Sequence, residues 1–299
     1  MGFFDSLFGR EKAGAGAGKP VSGQQEYVKL MQDVEVLPGL HLPSVLASQW
    51  DLFERKKLPV INIEATPAGD LKLEDSKFGG YPILPVEFAY PVDADGRPLF
   101  LLAQINCSEL PSPNPYPDSG YLQFYIPGFD ELWGLEHKQG ERPLYRVVYH
   151  SEEQSAEYVA DLSFLKETMA AEMLPFYGSL KLSFNPSTEY FGFTDHRCSI
   201  DEFKLPDAGT YGDQLESDID DVLAERFPSS GHRMGGYAYF TQEDPRIYNE
   251  AISDYVLLLQ IDSDDTIMWG DVGVANFFIH PDDLAKKDFT KVFFTWDCC

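Results

Sequence analysis

Four amide side chains stand at matching places in the apolar segments of this 299-residue chain. Gln104 and Gln260 each interrupt a run of apolar residues at the same point, and Gln123 and Asn276 form a second matched pair. An amide offers donor hydrogens and an acceptor oxygen, so it can orient a ligand or satisfy buried backbone groups. The sequence leaves two roles open. The amides line a pseudo-symmetric pocket between two halves of the chain, or they form hydrogen bonds inside the fold.

Two further candidate ligand-binding residues, Trp269 and Asp271, lie in the segment Trp269-Gly270-Asp271-Val272-Gly273. Its glycines permit unusual backbone angles, and the Asp271 carboxylate can cap a turn, bind a cation or bind a ligand amine. The aspartates just upstream, at 262, 264 and 265, lack the glycine and the distant glutamate of a helix-loop-helix calcium site. We therefore expect a solvated acidic loop there.

The sequence predicts neither a metal site nor a catalytic centre. The candidate zinc ligands are His196, Cys198, His232, Cys298 and Cys299, but His196 and Cys198 are too close together for a standard zinc half-site, and Cys298 and Cys299 are adjacent. No Gly-x-Ser-x-Gly motif occurs, and a cysteine with a distant histidine is common in chains of this length. We assign no catalytic residue, no metal ligand and no cofactor, and the sequence favours a protein that is not an enzyme.

The matched amides belong to a longer pattern that occurs twice. The shift between copies is 156 residues at the glycines (235 − 79) and at the glutamines (260 − 104), and 153 at the third block (273 − 120). A register kept over this distance predicts an internal duplication, with halves of about 58–150 and 176–299 inside a single domain at 24–299. The blocks are Gly79-Gly80-Tyr81, Leu101–Asn106 and Gly120–Ile126 in the first copy, and Gly235-Gly236-Tyr237, Leu257–Asp262 and Gly273–Ile279 in the second.

Few regular helices separate the predicted strands. The apolar run 99–105 is nearly continuous, which indicates a strand covered on both faces, and prolines between 82 and 98 exclude a long helix there. We predict an α+β fold with a mixed or mostly antiparallel sheet and peripheral helices. The periodicity predicts helices at 24–33, 43–56, 161–173 and 213–227, and strands at 60–65, 99–105, 121–126, 145–150, 180–184 and 292–296.

The composition limits the classes of partner. The formal charge of −26 would repel phosphate backbones and anionic membranes, so we exclude nucleic acid. Such acidity fits a highly soluble protein, a salty habitat, or docking to a basic protein. The four cysteines include no Cys-x-x-Cys pair, and there is no apolar run long enough to span a bilayer and no signal-peptide pattern. These features predict a cytoplasmic protein without an integral membrane segment.

Residues 1–23 are predicted to be a flexible N-terminal segment. Its head, Phe3–Phe8, has apolar residues at helical spacing, and a glycine- and alanine-rich linker follows. A helix this short is marginal in water, so we expect the head to order only against a partner or a membrane surface, or to remain disordered.

Several motifs in order resemble the YwqG-like family, over roughly Leu58 to Cys299. They are His232–Tyr237, Gln242–Arg246, Leu258–Asp264 and Trp269–Gly273, with Gly79–Pro85, Leu102–Asn106 and Trp296-Asp297-Cys298 as further matches. The resemblance implies an intracellular, mostly bacterial α+β family with an internal duplication and no established biochemical activity. It transfers no catalytic residue. Members sometimes lie near toxin and immunity genes, so neutralising a partner is compatible with it.

Two functions from different classes follow from these observations. The first is a non-enzymatic scaffold that binds another protein, with Phe3–Phe8 as an optional tether. The second is a small-molecule-binding protein or enzyme with a cleft between the two halves, near Gln104, Gln260 and Asp271. A convergent pocket with perturbed titratable groups favours the second function, and a surface patch favours the first.

Overall fold

The structure, a computed structural model, describes residues 22–135, 144–206 and 213–299. The Phe3–Phe8 head and nearly all of the linker lie outside the described residues. The chain divides into two compact units, one formed by Met1–Trp50 and Phe203–Val222 and the other by Asp51–Glu202 and Leu223–Cys299. Among the described residues, no helix is both long enough and apolar enough to cross a membrane.

The first unit contains helix α1 (Ser22–Leu30), strands β1 (Asp33–Leu37) and β2 (Leu40–Pro43), and helix α2 (Ser44–Ala47). The two strands form an antiparallel hairpin whose turn needs a positive φ, which Gly39 supplies at 81°. Tyr27 on α1 hydrogen-bonds Asp218, which lies in a later helix of the same unit. The sequence periodicity did not predict this hairpin, because its strands are only five and four residues long.

The second unit is dominated by one ten-stranded sheet. Its strands are β3 (Leu58–Pro67), β4 (Lys77–Gly79), β5 (Phe100–Asn106), β6 (Tyr121–Ile126), β7 (Arg146–His150), β8 (Ser179–Glu189), β9 (Arg233–Gly235), β10 (Val256–Asp262), β11 (Val274–Ile279) and β12 (Phe293–Asp297). The other helices in the described residues are α3 (Trp50–Lys56), α4 (Lys166–Met169), α5 (Gln214–Arg226) and α6 (Pro281–Ala285), and most of α5 belongs to the first unit.

The strand order in the sheet is β12-β11-β10-β9-β3-β8-β4-β5-β6-β7, and each of these pairings is antiparallel. The predicted α+β class with a mostly antiparallel sheet is therefore confirmed. The central pair is β3 with β8. Strand β3, which begins the first predicted half, also pairs with β9 of the second half, and β8, which begins the second half, pairs with β4 of the first.

The sheet curls, so that its two ends approach each other around one apolar core. The Tyr145 hydroxyl, next to β7, donates to the Val292 carbonyl next to β12 at 3.1 Å. Phe124 on β6 and Phe277 on β11 bring their ring centroids to 5.0 Å. Aromatic side chains thus fill the space between the two arms of the sheet, where their burial contributes strongly to stability.

Three predicted elements differ from the structure for identifiable reasons. The helix predicted at 161–173 is only a 3₁₀ turn followed by α4, because apolar residues at i and i+3 also fit successive tight turns. The helix predicted at 43–56 is interrupted between α2 and α3, where Gln49 Nε2 bonds the Val45 carbonyl. Strand β8 extends through Pro186, which sits beyond the part of β8 that pairs with β4 and so interrupts no ladder on that side.

Candidate functional site

The Gln104 side chain is fully buried on β5 and forms hydrogen bonds to the two segments that flank β4. Its Oε1 accepts the Ile83 N–H at 2.8 Å, and its Nε2 donates to the carbonyls of Leu73 at 2.7 Å and Asp75 at 3.1 Å. These partners lie in loops before and after β4. The amide therefore fixes these two loops to β5.

Gln260 makes the equivalent bonds in the second half. Its Oε1 accepts the Tyr239 N–H at 2.8 Å, and its Nε2 donates to the carbonyls of Ser229 at 2.9 Å and Gly231 at 2.8 Å. Each of these partners lies 156 residues after its counterpart at Gln104, so the correspondence seen in the sequence extends to individual hydrogen bonds.

Gln123 and Asn276 also form matching hydrogen bonds in the two halves, with one difference. Gln123 Nε2 donates to the Ile83 carbonyl at 2.7 Å, and Asn276 Nδ2 donates to that of Tyr239 at 2.8 Å. The Tyr125 hydroxyl donates to Gln123 Oε1 at 2.7 Å. The second half has a phenylalanine at the matching position, and Asn276 Oδ1 is buried without a partner among the described residues.

The four amides thus contact the fold itself in the part of the chain that the structure describes. Each is fully buried, and its donors are directed at backbone carbonyls or at another amide of the set. The grooves described below are lined by other residues. A ligand-binding role for these four side chains remains a prediction.

Trp269 and Asp271 lie close in sequence but in different surroundings. The Trp269 side chain is fully buried, with its ring centroid 5.0 Å from that of Trp133. Asp271 is exposed in the turn that follows. The turn is closely covered by the C-terminal residues, because a Cβ on Gly273 would lie 1.9 Å from the Asp297 carbonyl oxygen. The structure therefore places Trp269 in the core and Asp271 at the surface.

A buried ionic cluster was not predicted from the sequence. Asp195, His196 and Asp244 bring potential ligand atoms within 4.8 Å of one another. Arg246 Nη2 lies 2.9 Å from the Asp195 carboxylate and 2.6 Å from that of Asp244, and Arg197 also pairs with Asp195. Burial opposes ionisation of Asp195, but hydrogen bonds and charge from the two arginines outweigh it and hold the Asp195 pKa below its usual range. The arginines neutralise the carboxylates, so the cluster functions as an internal ion-pair network.

A groove lies beside β7 in the second unit. This strand ends the sheet, and β6 is its neighbour in the sheet order. The groove has a volume of about 620 Å³, and residues 145–149 form its floor. An edge strand presents unpaired backbone N–H and C=O groups, which is the feature that another extended chain recognises.

Two segments form the walls of this groove, one on each face of the sheet. Residues 88–92 cover the face that carries Val148, and the Phe88 ring lies 4.6 Å from the ring of His150. Residues 287–292 cover the other face, where Phe289 packs 5.9 Å from Tyr149. The wall at 88–92 is apolar, and its Val92 is 45% exposed, whereas the wall at 287–292 combines apolar Phe289 and Val292 with polar and charged residues. The floor thus offers backbone groups, and the walls offer contacts to side chains on both faces.

Charged side chains are distributed unevenly along the groove. Arg146 begins the floor strand, and its Nη1 donates to the Tyr145 carbonyl at 2.6 Å. Lys287 Nζ lies 5.9 Å from the Tyr149 ring centroid. Beyond Phe88, where β7 ends at His150, a second cavity of about 480 Å³ adjoins the groove and is bordered by glutamates at 87, 153 and 157.

The sequence predicted the strand at 145–150 but not the groove. An edge position depends on which strands pair over long distances, and local periodicity carries no information about that. One available signal was the presence of charged and polar residues in Arg146–His150, in contrast with the nearly continuous apolar run of β5, which is buried from Phe100 to Ile105.

The fold and these surfaces define an antiparallel α+β protein with a buried ionic network and, among the described strands, a sheet edge at β7. The model of the family described as a domain of unknown function (DUF1963) matches residues 76–298, and the chain belongs to that family. The match spans most of both predicted halves. No curated protein matches the chain.

Proposed function

We propose that this protein binds an extended peptide segment of a basic partner protein, which adds as a strand to β7. The observation that supports this proposal is the position of β7, at the floor of a groove with a wall on each face of the sheet. Main-chain hydrogen bonds would provide affinity, and side chains pointing alternately to the two walls would provide specificity.

The charge of the protein supports a basic partner. The net charge of −26 attracts cationic proteins over distances of about 10 Å at 0.1 M salt. The glutamates at 87, 153 and 157 border the cavity at the end of the groove. A basic segment would be attracted first by the overall charge and then oriented by these local carboxylates.

This proposal assigns a scaffold function rather than catalysis, and it does not use the four buried amides. Their hydrogen bonds already connect strands to loops, whereas the β7 edge offers backbone groups to a partner. Neutralisation of a toxin is one biological setting in which such strand addition would serve. We also propose that the family match is, more narrowly, to YwqG-like proteins.

We further propose that the two halves arose by duplication. The matching bonds of Gln104 and Gln260 support this, as do the strand pairs in which they lie. The register of β5 with β6 shifts between Leu101 and Ala103, and that of β10 with β11 shifts between Leu257 and Leu259, again 156 residues later. Common ancestry explains such agreement more directly than convergence.

Peptide selection tests the binding function. A displayed library of random nine-residue peptides is selected on immobilised protein, and the most enriched sequence is synthesised. We expect it to bind and to slow hydrogen exchange of the backbone at 145–149. A copy of the peptide N-methylated at alternate residues should bind at least about tenfold more weakly, because it loses main-chain donors worth roughly 1 kcal/mol each.

A matched pair of variants locates the site. Val92→Arg introduces bulk and charge at the groove lip, and Val34→Arg makes the same change at a 40% exposed valine on β1. Binding should be lost in the first variant and retained in the second. The proposal is overturned if both variants bind the peptide equally, or if protection from exchange appears elsewhere and 145–149 is unaffected.

A further inference from the structure

The cavity at the end of β7 contains a buried histidine whose Nε2 atom has no hydrogen-bond partner among the described residues. The His150 side chain is 3% exposed, and it lines the cavity together with residues 85–88, 153–154 and 156–157. A buried polar atom without a partner is costly, so its presence at a cavity wall indicates a place for a ligand atom.

Backbone and side-chain hydrogen bonds hold the cavity wall in place. The Val86 N–H donates to the Glu157 carbonyl at 3.2 Å, and the Val159 N–H donates to the Leu84 carbonyl at 2.8 Å. These bonds fasten the loop after β7 to the segment that forms one groove wall. The Ser155 hydroxyl closes the turn by donating to the Ser151 carbonyl at 2.9 Å. The cavity therefore keeps its lining close to the end of the floor strand.

Three carboxylates border the cavity, from Glu87, Glu153 and Glu157. None of them forms an ion pair with another residue in the described part of the chain. Burial lowers the pKa of His150 to about 4, so its ring is neutral at pH 7 and one of its nitrogens can accept a hydrogen bond. The cavity thus presents acceptors and negative charge, without a cation of its own.

We infer that this cavity binds an arginine side chain of the peptide that adds to β7. The inference rests on the proposed function and specifies its partner. A guanidinium carries five N–H donors in a planar fork, so it can bond a carboxylate and the imidazole at the same time.

A bare metal ion fits the cavity less well. Among the described residues, the one group of ligand atoms close enough for a metal is the Asp195 cluster, which lies elsewhere. The glutamates and His150 are spread over a wider space, which a long side chain with several donors can span.

The alternation of side chains between the two faces of a sheet determines how the bound peptide must align with β7. Residues directly opposite each other on neighbouring strands share a face of the sheet, and so do residues two positions apart. The arginine should therefore lie opposite or diagonal to His150. The peptide residue two positions away should face Val148 and the wall at 88–92, so we expect an apolar residue there.

The test uses the enriched peptide from the selection above and a copy in which citrulline replaces arginine. Citrulline keeps the shape of the side chain and removes its charge. The wild-type protein should bind the arginine peptide about 10- to 100-fold more tightly, as expected for charged hydrogen bonds of roughly 1.5–3 kcal/mol. The triple variant Glu87→Gln, Glu153→Gln, Glu157→Gln should reduce this preference to less than about threefold.

A second triple variant separates local recognition from overall charge. Glu26→Gln, Glu172→Gln and Glu216→Gln change the net charge equally at exposed positions, and they should leave the preference for arginine intact. Equal binding of the two peptides to wild-type protein, with both still blocked by Val92→Arg, overturns the arginine site and leaves strand addition standing. Absence of arginine from the enriched peptides has the same meaning. Failure of every peptide to bind overturns both proposals.

Discussion

Replacing Gln260 with leucine should destabilise the protein strongly, although the change keeps a similar volume. Gln260 is fully buried and makes three hydrogen bonds of 2.8–2.9 Å to backbone groups of two loops, one before β9 and one after it. Leucine would leave the Tyr239 N–H and two carbonyls without this partner. Each buried orphaned group costs about 1–3 kcal/mol, and burial of the leucine side chain returns about 1.5–3 kcal/mol. We expect a net loss of about 2–5 kcal/mol.

The same substitution at Gln104 should cost about as much, because it removes the equivalent bonds to Ile83, Leu73 and Asp75. Gln25→Leu on the exposed side of α1 is the matched control and should change stability by less than about 0.5 kcal/mol. Urea unfolding followed by tryptophan fluorescence is a suitable assay, since the buried Trp133 and Trp269 report on the core. A loss below about 1 kcal/mol at both glutamines would refute the argument that they fix the loops to the sheet.

Three further predictions concern titratable and reactive groups. Asp195→Asn should destabilise the protein by about 3–5 kcal/mol in urea unfolding, because it leaves Arg246 buried with one carboxylate instead of two. Because burial lowers the folded-state pKa of His150 to about 4, the unfolded chain binds more protons between about pH 4 and its ordinary pKa of 6.5. Stability should therefore fall as the pH drops through this range, by up to about 1.4 kcal/mol per pH unit, and His150→Phe should remove that slope in pH-dependent unfolding. A thiol reagent should modify exposed Cys299 first and buried Cys107 only after unfolding, because burial raises the Cys107 pKa to about 12. Mass spectrometry of digests gives the order of labelling, and early labelling of Cys107 would contradict the prediction.

The sequence predicted the fold class and the matched amides because both depend on local pattern. A glutamine inside a run of leucines is visible without a structure, and so is an apolar segment such as 99–105, which is buried along most of its length as β5. Strand partners are decided by contacts between distant segments. Nothing local indicates that β3 pairs with both β8 and β9, or that β7 ends the sheet.

The buried ionic cluster also depends on contacts between distant segments, so local sequence could not predict it. Asp195 and Arg246 are 51 residues apart, and each looks like an ordinary surface residue in the sequence. Charged residues are usually exposed, so composition argues against burying them. Only the fold brings Arg246 between two carboxylates, where hydrogen bonds and opposite charge compensate the loss of water. The surroundings of His150 at the end of β7 could not be predicted either, because they come from separate segments of the chain.

The position of β3 in the middle of the sheet affects how the chain must fold during synthesis. Both of its partners, β8 at Ser179–Glu189 and β9 at Arg233–Gly235, are translated more than 100 residues later. At about 5–20 residues per second, β3 waits roughly 5–30 s with both edges unpaired. Val60, Ile61 and Ile63, all buried in the finished protein, are exposed for that interval. The nascent chain therefore carries an uncovered apolar strand until β8 is translated, and we expect this segment to be exposed to chaperones and to pairing with other chains during that interval.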